Sequence, residues 1–346
     1  NQFEYLQASF FPPIKNEAFF ILLLAIKNIP STFACKKEML MLVETLPIHF
    51  APLQGYTEAI YRNAHATVFG GVETYYTPFV RLEKETFRSR DIRDIEPGNN
   101  TVSHLIPQLI GADTNKAEAI LSLFIEKGYK EVDINMGCPF PMLAKRHNGS
   151  GILPFPEEVE IHKYPEINFS VKMRLGWENT KECLNLLPIM NALPLKHITM
   201  HPRLGKQQYK GNADMEGFAA FAKACRHPLI YNGDIKNAED IERIHSRFPS
   251  LAGIMIGRGL LANPALAIEY KEKKHLSAED MKEKLFAAHK IVLSGYEKRL
   301  QGGEDQLLNK MKTFWEYLEP QIGHKAWKAI HKSTNLIKYN AAIGLI

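Results

Sequence analysis

From residue 48 onward the chain alternates two kinds of hydrophobic pattern. Short apolar, β-branched runs at 48–52, 72–76, 105–110, 131–135, 169–174, 197–201, 229–232 and 252–256 each close on Gly, Pro or a polar residue, which predicts buried strands. Between most of them apolar positions recur every three or four residues, as at 115–127, 180–192, 215–224 and 238–248, which predicts helices. Eight strand and helix units predict an α/β fold, a (β/α)8 TIM barrel over 47–268. An open doubly wound sheet is the alternative, but no GxGxxG turn follows the first strand. Residues 269–346 read as an all-helical C-terminal domain.

Residues 1–46 form an atypical N-terminal extension. Its apolar run at 18–26 is too short to span a bilayer and is preceded by acidic Glu4 and Glu17, with no convincing cleavage pattern after it. Neither membrane insertion nor secretion is expected. The extension is expected to be dispensable, so that a protein beginning at Met39 folds and stays active.

The strand ends carry the candidate chemistry, because a parallel barrel gathers its functional groups there. In chain order they present Ala51-Pro52, Gln108, Asn135 with Cys138, Lys172 with Arg174, His201 with Arg203, Asn232-Gly233-Asp234, and Gly257-Arg258-Gly259. Cys138 lies in a Gly-Cys-Pro turn past a strand and ahead of a Gly-rich loop, where the chain turns rather than packs. It reads as a proton donor or nucleophile, with Asn135 aimed at the same ligand; the plainer reading is a small buried hydrophobe. The glycines and Arg258 after strands seven and eight suit a phosphate. A lysine late on strand five suits a flavin, whose reduced pyrimidine edge an ammonium would stabilise. FMN, with one phosphate, fits better than FAD. Cys35, Cys138, Cys183 and Cys225 are far apart with no CxxC, so no metal site or disulfide framework is expected, and a cytoplasmic setting fits.

Charge adds a partner. The composition, 45% hydrophobic and 23% charged, is that of an ordinary globular protein. Residues 270–346 hold 14 Lys and Arg against 9 Asp and Glu, which accounts for the chain's whole formal charge of +5. A basic helical appendage on a neutral body points to a polyanion such as nucleic acid.

Taken together these residues resemble the tRNA-dihydrouridine synthase family. The resemblance rests on the segment from Ala51 to Glu58 with Arg62, Asn135-Met136-Gly137-Cys138-Pro139, Val171 to Trp177, His201-Pro202-Arg203, Asn232 to Ile235, and Met255 to Gly259, and it covers about 48–340. The Trp177 segment, the loop with Gln207 and Tyr209, and the stretch from Lys310 to Trp315 look most similar to the bacterial class C enzymes. Leu53, Gln54, Glu58 and Pro202 depart from the usual pattern.

The resemblance implies FMN held by Pro52, Leu53, Gln108, Asn135, Lys172, His201, Asn232, Gly233, Asp234, Gly257 and Arg258, with NADPH as reductant. Cys138 would be the general acid, and the substrate would be a uridine of folded tRNA, in the D-loop. Asn135, Arg174 and Arg203 would meet the base or its surroundings. Lys325, Lys328, Lys332 and Lys338, with Trp315, Trp327 and Tyr339 nearby, would form a tRNA-binding patch, at least one Trp serving the core. No obligate protein partner is evident and a monomer is expected. Two further readings stay open: a flavin barrel reducing a small pyrimidine or enone, and a tRNA-binding factor without catalysis. A third, an aldolase using Lys172 as a Schiff base, is opposed by Arg174 and the Cys-Pro loop.

Overall fold

The computed structural model describes residues 45–346, apart from 84, 112, 113, 160–163 and 165. The apolar run at 18–26 and the proposed start at Met39 lie outside the described residues. Leu46–Ile346 forms one compact unit, distinct from Asn1–Thr45.

The barrel strands are β1 (Ile48–Phe50), β2 (Thr74–Tyr76), β5 (Leu105–Ile106), β6 (Gln108–Leu109), β7 (Glu131–Met136), β8 (Asn168–Gly176), β9 (Ile198–Leu204), β10 (Leu229–Asn232) and β11 (Gly253–Ile256); β3 (Leu82–Glu83) and β4 (Thr86–Phe87) form a separate antiparallel hairpin. The nine form one parallel ladder, ordered β5-β2-β1-β11-β10-β9-β8-β7-β6. Its two ends, β5 and β6, are halves of one predicted strand. Pro107 divides them because it has no N–H to donate, although its carbonyl still accepts from the Asp133 amide at 2.9 Å. The halves pair with opposite neighbours, β2 and β7, which completes an eight-stranded ring.

Helices predicted between the strands are present at Thr114–Glu126, Lys181–Ala192, Met215–Ala224 and Ala238–Arg247. Two starts are capped by side chains: Asp214 accepts from the Glu216 and Gly217 amides, and Asn237 from that of Asp240. Inside the ring, buried His49, Tyr76 and His197 are linked by hydrogen bonds of 3.0 and 3.1 Å through the tyrosine hydroxyl. Burial keeps both histidines neutral, His49 pushed down to about 3 and His197 to about 4.

The C-terminal helices begin with Ala278–Arg299, whose Gly295 faces Ile60 on the helix Ala59–Val68. A Cβ at Gly295 would stand 2.9 Å from Ile60, so the glycine permits this close approach. Glu58 ties the two parts together, accepting from Lys310 Nζ at 2.7 Å and the Tyr296 hydroxyl at 3.3 Å. Trp315 is fully buried and donates to the Tyr339 hydroxyl at 2.8 Å, which also meets His289 Nε2 at 2.8 Å. Both aromatic residues thus belong to the core of the tail, where each contributes on the order of 1.5–3 kcal/mol, and neither is free to stack on RNA.

Candidate active site at the mouth of the barrel

The strand ends enclose a cavity of about 1030 Å³. All the predicted barrel residues line it: Pro52, Leu53, Gln108, Asn135, Cys138, Lys172, Arg174, His201, Arg203, Asn232, Gly233, Asp234, Gly257 and Arg258. They converge because parallel strands all end on one face. Register brings Asn135 beside Lys172, and Arg174 beside His201.

A chain of hydrogen bonds runs from the barrel interior to the thiol loop. Buried Asp133 accepts from Gln108 Nε2 at 2.6 Å and Ser170 Oγ at 2.7 Å. Gln108 Oε1 accepts from Asn135 Nδ2 at 2.8 Å, and Asn135 Oδ1 accepts from the amides of Gly137 at 3.1 Å and Cys138 at 2.8 Å. One Asn135 N–H remains for a ligand. Behind the loop, the Ser150 amide and hydroxyl both donate to the Cys138 carbonyl, at 3.0 and 2.9 Å. The Cys138 thiol is therefore held in place, and burial pushes it above its ordinary range, so it keeps its proton at neutral pH.

Lys172 has a different environment. Burial, and next the nearby Arg174 charge, pull its ammonium down to about 8, while Asp133 opposes the shift. Among the described residues no hydrogen bond or ion pair holds it, so it offers a cation to whatever enters the cavity. Arg174 is more committed: it donates to the carbonyls of Gly137, Leu204 and Gln208 at 2.9, 3.0 and 2.7 Å. It braces the loops as much as it faces a substrate.

Arg203 is likewise engaged, donating to Asp234 at 3.0 and 2.5 Å and to the Gly211 carbonyl at 2.6 Å. Its Nη1 also stands 3.1 Å from His201 Nε2. Burial first, then the surrounding Arg and Lys charges, keep His201 neutral. Its Nε2 must then accept from Arg203, which leaves Nδ1–H as a donor. Arg258 lies 3.9 Å from Asp234 and 4.3 Å above the Tyr209 ring. Arg203 thus offsets the Asp234 charge and leaves Arg258 available to an anion.

Lys325, Lys328 and Lys332 do not line the cavity; they are exposed on the helix His324–Lys332, as is Lys338 on the next helix. Tyr317, Pro320 and Gln321, just before that helix, do line it. Sequence reasoning missed these three, and also Phe79 and Lys236. None stands at the end of an apolar run that would have marked it.

A closed parallel barrel with a protonated thiol, an unpaired ammonium and an anion-ready glycine and arginine loop at one mouth has the build of a (β/α)8 enzyme. The model of the dihydrouridine synthase family matches residues 49–340. The chain belongs to that family and is an oxidoreductase of that class. It is 29% identical over 230 residues to tRNA-dihydrouridine synthase B of Pasteurella multocida, covering 63% of this chain and 67% of the relative. It is also 29% identical over 235 residues to tRNA-dihydrouridine(16) synthase of Pseudomonas syringae pv. tomato, covering 64% and 74%. The longer match to synthase B of Vibrio parahaemolyticus is 25% identical over 80% of this chain and 83% of the relative. Among solved structures it is similar to morphinone reductase at TM-score 0.45 and 10% identity, over 68% and 88% of the chains, a level that bears on neither cofactor nor substrate. No helix among the described residues is long and apolar enough to cross a membrane.

Proposed function

We propose that this chain reduces a uridine in the D-loop of folded tRNA to 5,6-dihydrouridine, using FMN held at the barrel mouth and NADPH as reductant. The carrying observation is that one cavity holds the protonated Cys138 thiol, the unpaired Lys172 ammonium and the Arg258 loop. Its size suits a mononucleotide cofactor with a base beside it. Pro52, Leu53, Gln108, Asn135, Lys172 and His201 would surround the cofactor ring, and Asn232, Gly233, Asp234, Gly257 and Arg258 its phosphate end. FMN bound there would supply hydride to C6 of the uracil ring.

Cys138 donates the proton that C5 requires, and its raised range keeps it an acid rather than a thiolate. Asn135 fixes the loop that carries the thiol and keeps one N–H for the base. Arg174 and Arg203 hold the loops around the base, and the exposed tail lysines meet tRNA phosphates. The D-loop reading draws support from the relative whose name carries position 16. We place the protein in the cytoplasm, as its far-spaced cysteines first suggested, and take it to be a monomer.

The test is nucleoside mass spectrometry of dihydrouridine-free tRNA after incubation with the protein, FMN and NADPH. Dihydrouridine is expected with the wild type. Cys138→Ala should keep its FMN and oxidise NADPH yet reduce uridine roughly 10²–10⁴-fold more slowly, the usual scale of general acid catalysis. Loss of the yellow colour in that variant would show the role misassigned. A yellow, NADPH-oxidising wild type that makes no dihydrouridine would favour a reductase of small pyrimidines or enones.

A further inference from the structure

Phe140 and Met142 are 51% and 63% exposed, at and just inside the start of the short helix Pro141–Ala144 that follows Cys138. Exposed large apolar side chains beside a functional cavity are candidates for contact with a ligand. The frame beneath them is tight. A Cβ on Gly149 would stand 2.6 Å from the Cys138 carbonyl oxygen, and one on Gly151 would overlap the Ala144 backbone. The amides of Leu143 and Ala144 donate to the Phe140 carbonyl at 2.9 and 3.0 Å, and His147 stacks on Phe155 at 3.7 Å while meeting Glu158 at 2.9 Å. Phe140 and Met142 therefore point to solvent from an ordered support.

They follow directly on the cavity lining, although neither is part of it. Cys138 and Pro139 line the cavity, and the Phe140 amide faces the Cys138 sulfur. Directly after them Lys145 and Arg146 are exposed and form no ion pair among the described residues, whereas Glu158 is engaged by His147. An apolar face flanked by free cations matches a ligand with flat apolar faces and a phosphate backbone, which is RNA. A uridine can reach Cys138 only by leaving its stack, and this uncovers the face of the base beside it.

Resting on the reading of the site as a tRNA uridine reductase, we propose that Phe140 and Met142 form a platform that covers the base flanking the extruded uridine, with Lys145 and Arg146 on the adjoining phosphates. The platform makes extrusion less costly and helps decide which uridine is taken.

The experiment compares wild type, the Phe140→Ala/Met142→Ala double variant and the conservative Phe140→Trp and Met142→Leu, all as full-length FMN-loaded protein, on one dihydrouridine-free tRNA. The double variant should lose roughly 5- to 150-fold in kcat/KM for tRNA, the range that base stacking on one side chain supplies. The conservative variants should stay within a few-fold of wild type, and NADPH oxidation without tRNA should be unchanged in all. A double variant as active on tRNA as wild type overturns the platform. So does an equal loss of NADPH oxidation, which would mean that the thiol loop had collapsed. Sedimentation that shows a wild-type dimer and a monomeric double variant would also overturn it, since a second copy then covers the patch. A wild type that makes no dihydrouridine fails earlier and takes the underlying reading with it.

Discussion

Lys172 and Cys138 release their protons over different ranges of pH, and the order follows from what surrounds each. Burial acts on both, but it lowers the lysine to about 8 and raises the thiol above its ordinary range. As pH rises, the ammonium is lost first and the thiol proton later. Uridine reduction should therefore fall through about pH 8. Lys172→Met should be slower by roughly 10- to 150-fold, the scale of a lost charged hydrogen bond, and should lack that limb, declining only where the thiol ionises. Initial rates between about pH 6 and 10 decide it, and a limb near 8 that survives the substitution would remove Lys172 from the account. Both residues were legible in the sequence: Cys138 stands beyond a strand end, and Lys172 is late in the strand predicted at 169–174, although β8 runs on to Gly176. Asp133 was not. It lies inside β7, fully buried, its carboxyl raised to about 6, chiefly by burial, and it anchors Gln108 and through it Asn135. Its importance depends on the register that sets Gln108 of β6 against it, and a single strand's pattern carries no register.

At the scale of elements, the eight barrel strands were legible because buried parallel strands are continuous apolar runs with sharp ends. The finer features came from backbone chemistry. Pro107 splits one strand through its missing N–H, and the two-residue strands β3 and β4 are too short to show any alternation. The Gly-rich loop was noticed as a turn, but its task became visible only in three dimensions. Gly149 has φ of +60°, and a Cβ there would collide with the Cys138 backbone. Gly149→Ala combines left-handed strain of about 1–2 kcal/mol with crowding of about 1–3 kcal/mol. Denaturant unfolding should show a loss of about 2–5 kcal/mol, from those two costs together. Uridine reduction should drop further than stability does, because the strain lands on the thiol loop. A variant equally stable and equally active would mean that the loop shifts freely and that the tight support described for Cys138 is unnecessary.

For the whole molecule, charge distribution was the clearest message of the sequence, while the placement of aromatic residues was hidden. Trp315 and Tyr339 were grouped with the basic patch, yet both are buried, because residues near in sequence on successive helices can face opposite ways. Trp327 is half-buried, its indole N–H donating to the Glu316 carbonyl at 3.0 Å. What remains for RNA is the set of exposed lysines. Lys325, Lys328 and Lys332 follow three- and four-residue spacing along His324–Lys332 and so share one face. That helix starts three residues after Gln321, which lines the cavity. On the proposed reading, RNA delivering a base to Cys138 would pass beside these cations. Lys328→Gln with Lys332→Gln should leave the melting temperature unchanged, since both side chains are exposed. Binding of tRNA should weaken, and the slope of log K against log salt should flatten by about one for each phosphate left without its lysine, about two in all. Filter binding across a salt series measures this directly. A weaker affinity with an unchanged slope would mean that these lysines act without meeting phosphates, and unchanged affinity would place the RNA on another face of the tail.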